Sequence, residues 1–306
     1  VAVRGNDAGI ERTIEGGGMS LEWRVLQLGK QSGAFNTILD EVILETVSNR
    51  EVSPTIIVNE WLPTVSLGGL QSQEQDVHTE ACKKYGIEIV RRSSGGKAVY
   101  VHEGYIVFSV IGTRELFPQD LTRLQEYVCH VPEEVLRSMH IPVQFYPPDN
   151  LVIRTPARIR TIGNAGQMVK PRGVIVHGSI RYTMNHMNEF FDVLKVEGRK
   201  IHQYRAEIMD VLASVDEYAP DLKKEVMEQA LIDAFVKKFG GTAYAGKLTE
   251  QERTETVQRV QQMQLKDAPY HISKGICYLY VGKTNLVPAL YGLKQKEAPH
   301  VQPHLG

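Results

Sequence analysis

The residues with the most chemistry per unit length lie in Val90-Arg91-Arg92-Ser93-Ser94-Gly95-Gly96-Lys97-Ala98-Val99-Tyr100-Val101-His102. The apolar flanks read as two strands joined by a tight loop. Two adjacent glycines let backbone approach a ligand closely, with N–H groups free to point at phosphate or carboxylate oxygens. Arg91, Arg92 and Lys97 add cationic donors at the same mouth. A plain hairpin turn with solvated basic flanks is the competing reading. A second stretch, Arg158-Ile159-Arg160-Thr161-Ile162-Gly163-Asn164-Ala165-Gly166-Gln167, precedes Val176-His177-Gly178-Ser179-Ile180. Asn164 offers an amide donor and acceptor, although an isolated Gly-Asn reads first as a β-turn.

Other elements must position these loops. Trp23 to Leu28 reads as a strand, and Ala34 to Val47 carries Phe35, Ile38, Leu39, Val42, Ile43 and Leu44 at helical spacing. Short strands are expected at 55–58, 65–67, 87–90, 98–101, 105–111, 143–146, 151–153, 159–162 and 174–182. Helices are expected at 74–85, stopping at Gly86, and at 121–139, where Val131-Pro132 threatens a split. Two more are expected at 222–239 and 250–264. Strands cluster mid-chain with helices after them, which favours an α+β fold. Residues 1–18, ending in Gly16-Gly17-Gly18 before Met19, read as a flexible tail or cloning remnant, with a genuine disordered extension as the alternative. The expected organisation is a catalytic domain over 19–245 and a C-terminal helical segment and tail over 246–306.

The chain has 306 residues, a formal net charge of −1, 42% hydrophobic and 23% charged residues. Those values exclude disordered and collagen-like classes and offer no sequence-wide field for nucleic acid or an anionic membrane. No apolar run approaches the ~18 residues of a membrane span, so a soluble cytoplasmic protein is expected. The three cysteines, Cys82, Cys129 and Cys277, contain no C-x-x-C pair, which argues against disulfides or structural zinc. His177, His186 and His202 lack metal-ligand spacing, and no metal site is expected. Gly282-Lys283-Thr284 fails as a P-loop because the glycine needed five positions earlier is Cys277.

The order Ala34-Phe35-Asn36 … Asp40-Glu41, Ser66-Leu67-Gly68 … Gln71, Arg91-Arg92-x-x-Gly95-Gly96-x-Ala98-Val99, Gly163-Asn164-Ala165 and His177-Gly178-Ser179-Ile180 resembles the lipoate–protein ligase and octanoyltransferase family over residues 20–265. The resemblance implies the fold shared with biotin–protein ligases: a mixed, mostly antiparallel sheet covered on one side by helices. It also implies transfer of lipoyl or octanoyl groups to one lysine of a lipoyl domain, carried by a 2-oxoacid dehydrogenase or a glycine cleavage H protein. Ligases of the family take free lipoate or octanoate with ATP and magnesium. Octanoyltransferases take the acyl group from an acyl-carrier protein, some through a cysteine nucleophile. The substrate-binding candidates carried over are Gln71, Arg91, Arg92, Gly95, Gly96, Lys97, Ala98, Val99, Tyr100, His102, Gly163, Asn164, Ala165, His177 and Gly178. His102 also reads as a surface histidine.

The chain departs from the family pattern at two positions. Arg160 stands where a lysine usually contacts the activated acyl carbonyl, and it becomes the catalytic candidate, although arginine does not replace lysine at a close site. Asp149-Asn150 reverses the usual Asn-Asp pair that serves ATP and metal. Both changes fall on adenylation chemistry, which places ATP use in question. The three cysteines read as packing residues. A non-catalytic homologue that binds an acyl ligand or a lipoyl domain is the alternative function.

Overall fold

Ser32 opens the first helix as an N-cap, its side chain accepting from the Phe35 N–H, and Gly86 closes the third in the left-handed conformation. In this computed structural model residues 21–196, 199–201 and 205–265 are described. The tail before Met19, His202, Cys277, Gly282-Lys283-Thr284 and the segment 266–306 lie outside the described residues.

The elements run β1 (Glu22–Leu26), β2 (Lys30–Gln31), α1 (Gly33–Ser48), β3 (Thr55–Trp61), β4 (Thr64–Leu67), α2 (Gln73–Asp76) and α3 (Thr79–Tyr85). Then follow β5 (Glu88–Arg91), β6 (Val99–Val101), β7 (Tyr105–Thr113), α4 (Leu124–Ser138), β8 (Val143–Tyr146), β9 (Asn150–Arg154), β10 (Ile159–Val169) and β11 (Gly173–Arg181). The remainder is α5 (Met187–Val193), β12 (Lys195–Val196), β13 (Arg199–Lys200), α6 (Arg205–Val211), α7 (Lys224–Phe239), β14 (Thr242–Ala245) and α8 (Glu250–Leu265). The main sheet has the order β14-β1-β3-β7-β11-β10-β9-β8, with β2 beside β3, and a smaller sheet has the order β5-β4-β6. β1 pairs in parallel with β14 and β3, whereas the run from β3 to β8 is antiparallel throughout. The expected mixed, mostly antiparallel α+β fold is therefore present.

Helices cover both faces of the main sheet, not one. Ile56, Val58, Ile106, Phe108, Val110, Val174 and Val176 pack with Val128 and Leu136 of α4 and Leu231 and Phe235 of α7. The alternate residues Ile57, Ile111 and Ile175 pack under Leu39, Ile43 and Val47 of α1. Period-two alternation supplies the two faces, and each fully buried side chain such as Phe108 or Phe235 contributes roughly 1.5–3 kcal/mol.

Four local expectations change. The helix at 74–85 is broken because Val77 bridges Leu194 and the His78 N–H donates to Val193 O, capturing backbone that the helix would have used. Pro132 does not split α4, whose Val128, Val131, Val135 and Leu136 are all buried. Gly163-Asn164 is not a turn: it lies inside β10, paired to β9 and β11, with a register shift between Thr161 and Gly163. The loop after β5 is not a hairpin either, since β5 and β6 both pair with β4, which lies between them. Among the described residues no helix is long and apolar enough to cross a membrane.

α8 docks beside α1, over β1, through charge. Arg24 donates to Glu252 twice, at 2.9 and 2.8 Å, with side chains 3% and 0% exposed. Thr249 N and Thr46 Oγ1 also donate to Glu252. Burial raises the Glu252 pKa, but Arg24 and these donors outweigh it and hold the carboxyl below its ordinary 4.5. The stabilisation is thus present above about pH 4.5 and is lost as pH falls through the lower folded value. Glu252→Gln strands a buried guanidinium, so chemical denaturation at pH 7 should show a loss of about 3–5 kcal/mol. The same variant should show a shallower acid dependence below pH 4.5.

Candidate functional site

The loop from Arg92 to Ala98 closes over the α1-side face of β7, β11 and β10 and encloses a cavity of about 420 Å³ between the two sheets. Its apolar wall includes Trp61, Val99, Val101, Val107, Phe190, Leu194, Ile208 and Leu212. Its polar wall includes Arg92, Lys97, Asp149, Asn150, Asn164, His177 and Ser179. Two glycines at the mouth serve opposite needs. Gly96 has φ +93° and would bring a Cβ to 2.9 Å from the Arg92 guanidinium, whereas a Cβ on Gly95 meets nothing within 4 Å.

The structure gathers Arg92, Gly95, Gly96, Lys97, Ala98, Val99, Tyr100, Gly163, Asn164, Ala165, His177 and Gly178 on the cavity wall. Four candidates are placed elsewhere. Arg91 turns away and donates to Gly68 O, Gly69 O and Gln71 O at 3.0, 3.4 and 2.6 Å. Gln71 accepts from the Gly68 N–H at 3.1 Å, so both residues shape the 68–71 turn rather than border the cavity. His102 is buried behind the wall, 2% exposed, packed between Tyr100, Tyr105 and His186 rings. Burial, then the neighbouring His186, lowers its pKa to about 4, so it is neutral at pH 7. Arg160 points at Glu217, with Nη1 2.7 Å from Oε2 and 3.3 Å from the Tyr218 hydroxyl. That pairing uses the cation expected at the acyl carbonyl.

Arg92 ties the loop together by donating to Ser66 O, Gly95 O and Lys97 O at 2.7, 2.9 and 2.8 Å. Burial lowers its pKa to about 10, against the opposing field of Asp149, and it stays charged at neutral pH. Burial likewise pushes Asp149 up to about 6, with Arg92 pulling the other way. Asn164 Oδ1 accepts from Ser179 Oγ at 3.0 Å, leaving its Nδ2 as the donor it can offer. His177 lies between two partners, with Nδ1 3.1 Å from Asp40 Oδ2 and Nε2 2.8 Å from Ser94 Oγ.

Magnesium carried with ATP would meet a single acidic ligand on this wall. Asp149 is the one carboxylate among the described lining residues. It already accepts from Asn150 Nδ2, and burial pushes its pKa up to about 6. Neither described cysteine lines the cavity. Both are buried, and desolvation raises Cys82 to about 11 and Cys129 further still. Sequence reasoning missed Trp61, Ser66, Phe190, Leu194, Ile208 and Leu212, whose apolar or small character carries no signal outside the fold. It also left Ser94 unassigned, although that residue lies within the loop it singled out.

Residues 32–240 match the family model of the lipoyl protein ligase A/B catalytic domain. The chain is 28% identical over 268 residues to the octanoyltransferase LipM of Kyrpidia tusciae, covering 80% of this chain and 97% of that protein. It is likewise 28% identical over 254 residues to LipM of Moorella thermoacetica, covering 76% and 91%. A structure from the archaeal lipoylation system of Thermoplasma acidophilum, described as a bipartite lipoate protein ligase and its E2 lipoyl domain, aligns with a TM-score of 0.71. It is 20% identical and covers 91% of this chain and 100% of its own. Lipoate-protein ligase A bound with ATP aligns with a TM-score of 0.65 at 21% identity, covering 79% and 95%. At such identities the solved structures speak for the fold.

Gly95 lines the cavity and a Cβ there meets nothing within 4 Å, so Gly95→Val should melt close to the parent while losing octanoate binding by calorimetry. Unimpaired binding by a well-folded variant would contradict this placement. For Asp149, a folded pKa raised from 3.8 to about 6 means stability is greatest below pH 3.8 and is lost as pH rises through about 6. Asp149→Asn should flatten that fall and raise the melting temperature at pH 7, as followed by calorimetry across pH 4 to 8.

Proposed function

This chain belongs to the lipoyl protein ligase A/B catalytic domain family, and on that premise we propose that it transfers octanoyl or lipoyl groups to the acceptor lysine of a lipoyl domain. The observation that carries the reading is the cavity: an apolar wall together with the polar side chains of Arg92, Lys97, Asn164 and His177, closed by the Gly95–Gly96 loop. An octanoyl chain is stabilised along the apolar wall at about 0.8 kcal/mol per methylene removed from water. Its carbonyl then lies near Lys97 and the Asn164 Nδ2 donor, which favour a developing negative charge.

The donor in this reading is an acyl-carrier-protein thioester, used without ATP. The single lining carboxylate, already bonded to Asn150 Nδ2, and the ion pair that occupies Arg160 support that choice over free lipoate with ATP. So does the match along 97% of a protein named octanoyltransferase. A 2-oxoacid dehydrogenase lipoyl domain or a glycine cleavage H protein supplies the lysine.

The test mixes the protein with an unmodified lipoyl domain and either octanoyl-acyl-carrier protein alone or lipoate, ATP and magnesium, then weighs the domain. The expected result is one octanoyl group gained from the thioester, none on a domain whose acceptor lysine is replaced by arginine, and at most slow gain with lipoate and ATP. A domain that is bound yet unmodified under both conditions would sink the transferase reading in favour of a non-catalytic binder. Faster modification with ATP would reverse the choice of donor.

A further inference from the structure

The Asp40, His177 and Ser94 side chains form a chain of hydrogen bonds that runs from α1 to the glycine loop. Asp40 Oδ2 lies 3.1 Å from His177 Nδ1, and His177 Nε2 lies 2.8 Å from Ser94 Oγ. A carboxylate only accepts, and Oδ2 also accepts from Ser109 Oγ at 3.1 Å. The ring proton must therefore sit on Nδ1, which leaves the Nε2 lone pair to accept from the Ser94 hydroxyl. A base aimed at a hydroxyl and oriented by a carboxylate is the arrangement that activates serine for acyl transfer on unrelated folds.

Three further observations concern the surroundings of that hydroxyl, which lies beside the cavity-lining His177 and Gly166. A Cβ on Gly166 would stand 3.0 Å from His177 Nε2 and 3.5 Å from Ser94 Oγ. Gly166 lines the cavity, so its missing side chain leaves the pair open from that side. Among the described residues, no acceptor is paired with the N–H of Gly95 or Gly96. The N–H that follows a nucleophilic serine is a common oxyanion donor. Ser94 is 1% exposed, which shields an ester from bulk water and favours transfer over hydrolysis.

We propose that Ser94 is the acyl-accepting nucleophile of this protein, with His177 as its base and Asp40 as a positioning residue. The inference rests on the transferase reading above. Ser94 Oγ attacks the carbonyl carbon of the thioester while His177 Nε2 takes the hydroxyl proton. The C–O bond forms, the C–S bond breaks, and the proton passes to the leaving thiolate. The neutral acceptor amine then attacks the ester. His177 takes an amine proton and returns it to Ser94 Oγ as the amide forms, so no cysteine and no ATP are required.

The experiment mixes the unaltered protein with p-nitrophenyl octanoate, reads the burst of p-nitrophenolate and locates the adduct by peptide mass spectrometry. The expected result is one octanoyl ester on Ser94 that resists neutral hydroxylamine and passes to an added lipoyl domain. Ser94→Ala should lose the adduct and slow transfer from octanoyl-acyl-carrier protein by at least about a hundredfold. Ser94→Cys should restore an adduct that hydroxylamine now removes. An octanoyl group on Cys82, Cys129 or Cys277 overturns the proposal, as does Ser94→Ala that transfers at the parent rate. Absence of any Ser94 ester in a protein that does transfer octanoyl overturns it whatever the variants do. The ester probe needs neither carrier nor lipoyl domain, so a Ser94 adduct in a protein that fails to modify the domain would separate the two readings.

Discussion

The backbone at Gly68 comes so close to the glycine loop that a Cβ there would lie 2.0 Å from the Gly96 carbonyl oxygen, and one guanidinium bridges the two segments. Arg92 accommodates three carbonyls, from Ser66, Gly95 and Lys97, that would otherwise point at one another unpaired. Gly69 N adds a bond to Ser94 O, and Arg92 N one to Leu67 O. The small sheet, the loop and the roof of the cavity are thereby one rigid piece. Arg92 satisfies the Gly95 and Lys97 carbonyls, while among the described residues no acceptor is paired with the Gly95 and Gly96 N–H groups.

The same strand that builds the core builds the floor of the site. Along β11, Val174, Val176 and Ile180 enter the core under α4 and α7, while His177, Ser179 and Arg181 line the cavity on the opposite face. Each polar member of that row has a partner within the protein: Asp40 and Ser94, Asn164, and Thr161 O with Ala213 O. In a water-poor cavity such pairing is what makes their burial tolerable. It also fixes their orientation, which is why α1 must be docked before His177 can be aimed. The α1 helix in turn is held from outside by Lys170 and Arg259 at Glu45 and by the buried Arg24–Glu252 pair beside Thr46.

Much of the fold was legible from local pattern. The strands at 55–58, 105–111 and 174–182 and the helices at 34–47, 222–239 and 250–264 alternate or repeat strongly enough that packing only moves their ends by a few residues. Gly95, Gly96, Lys97, Asn164 and His177 were legible too, because the ordered motifs identified a family and the motif loops line its cavity. The failures share one cause. Gly163-Asn164 favours a turn locally, and residues 74–85 favour a helix. Backbone hydrogen bonds to β9 and β11 in one case, and to Val193 and Leu194 in the other, outweigh propensities of well under about 1 kcal/mol per residue.

Composition and hydropathy pattern pointed to an α+β chain with a glycine loop, and the family resemblance carried by motif order implied an acyl ligand for it. Composition and pattern did so because glycine, arginine and apolar runs constrain backbone and burial within a few residues. Only the tertiary structure decided which side chains meet. Arg91 and Arg92 are neighbours in sequence, yet the strand's alternation sends one to the 68–71 turn and the other to the cavity. Arg160 aligns with a catalytic lysine, yet Glu217 claims it from 57 positions away. Asp40, Ser94 and His177 are separated by 137 positions from first to last. Their contact depends on α1 crossing β7 and β11, a long-range geometry that no local residue preference encodes.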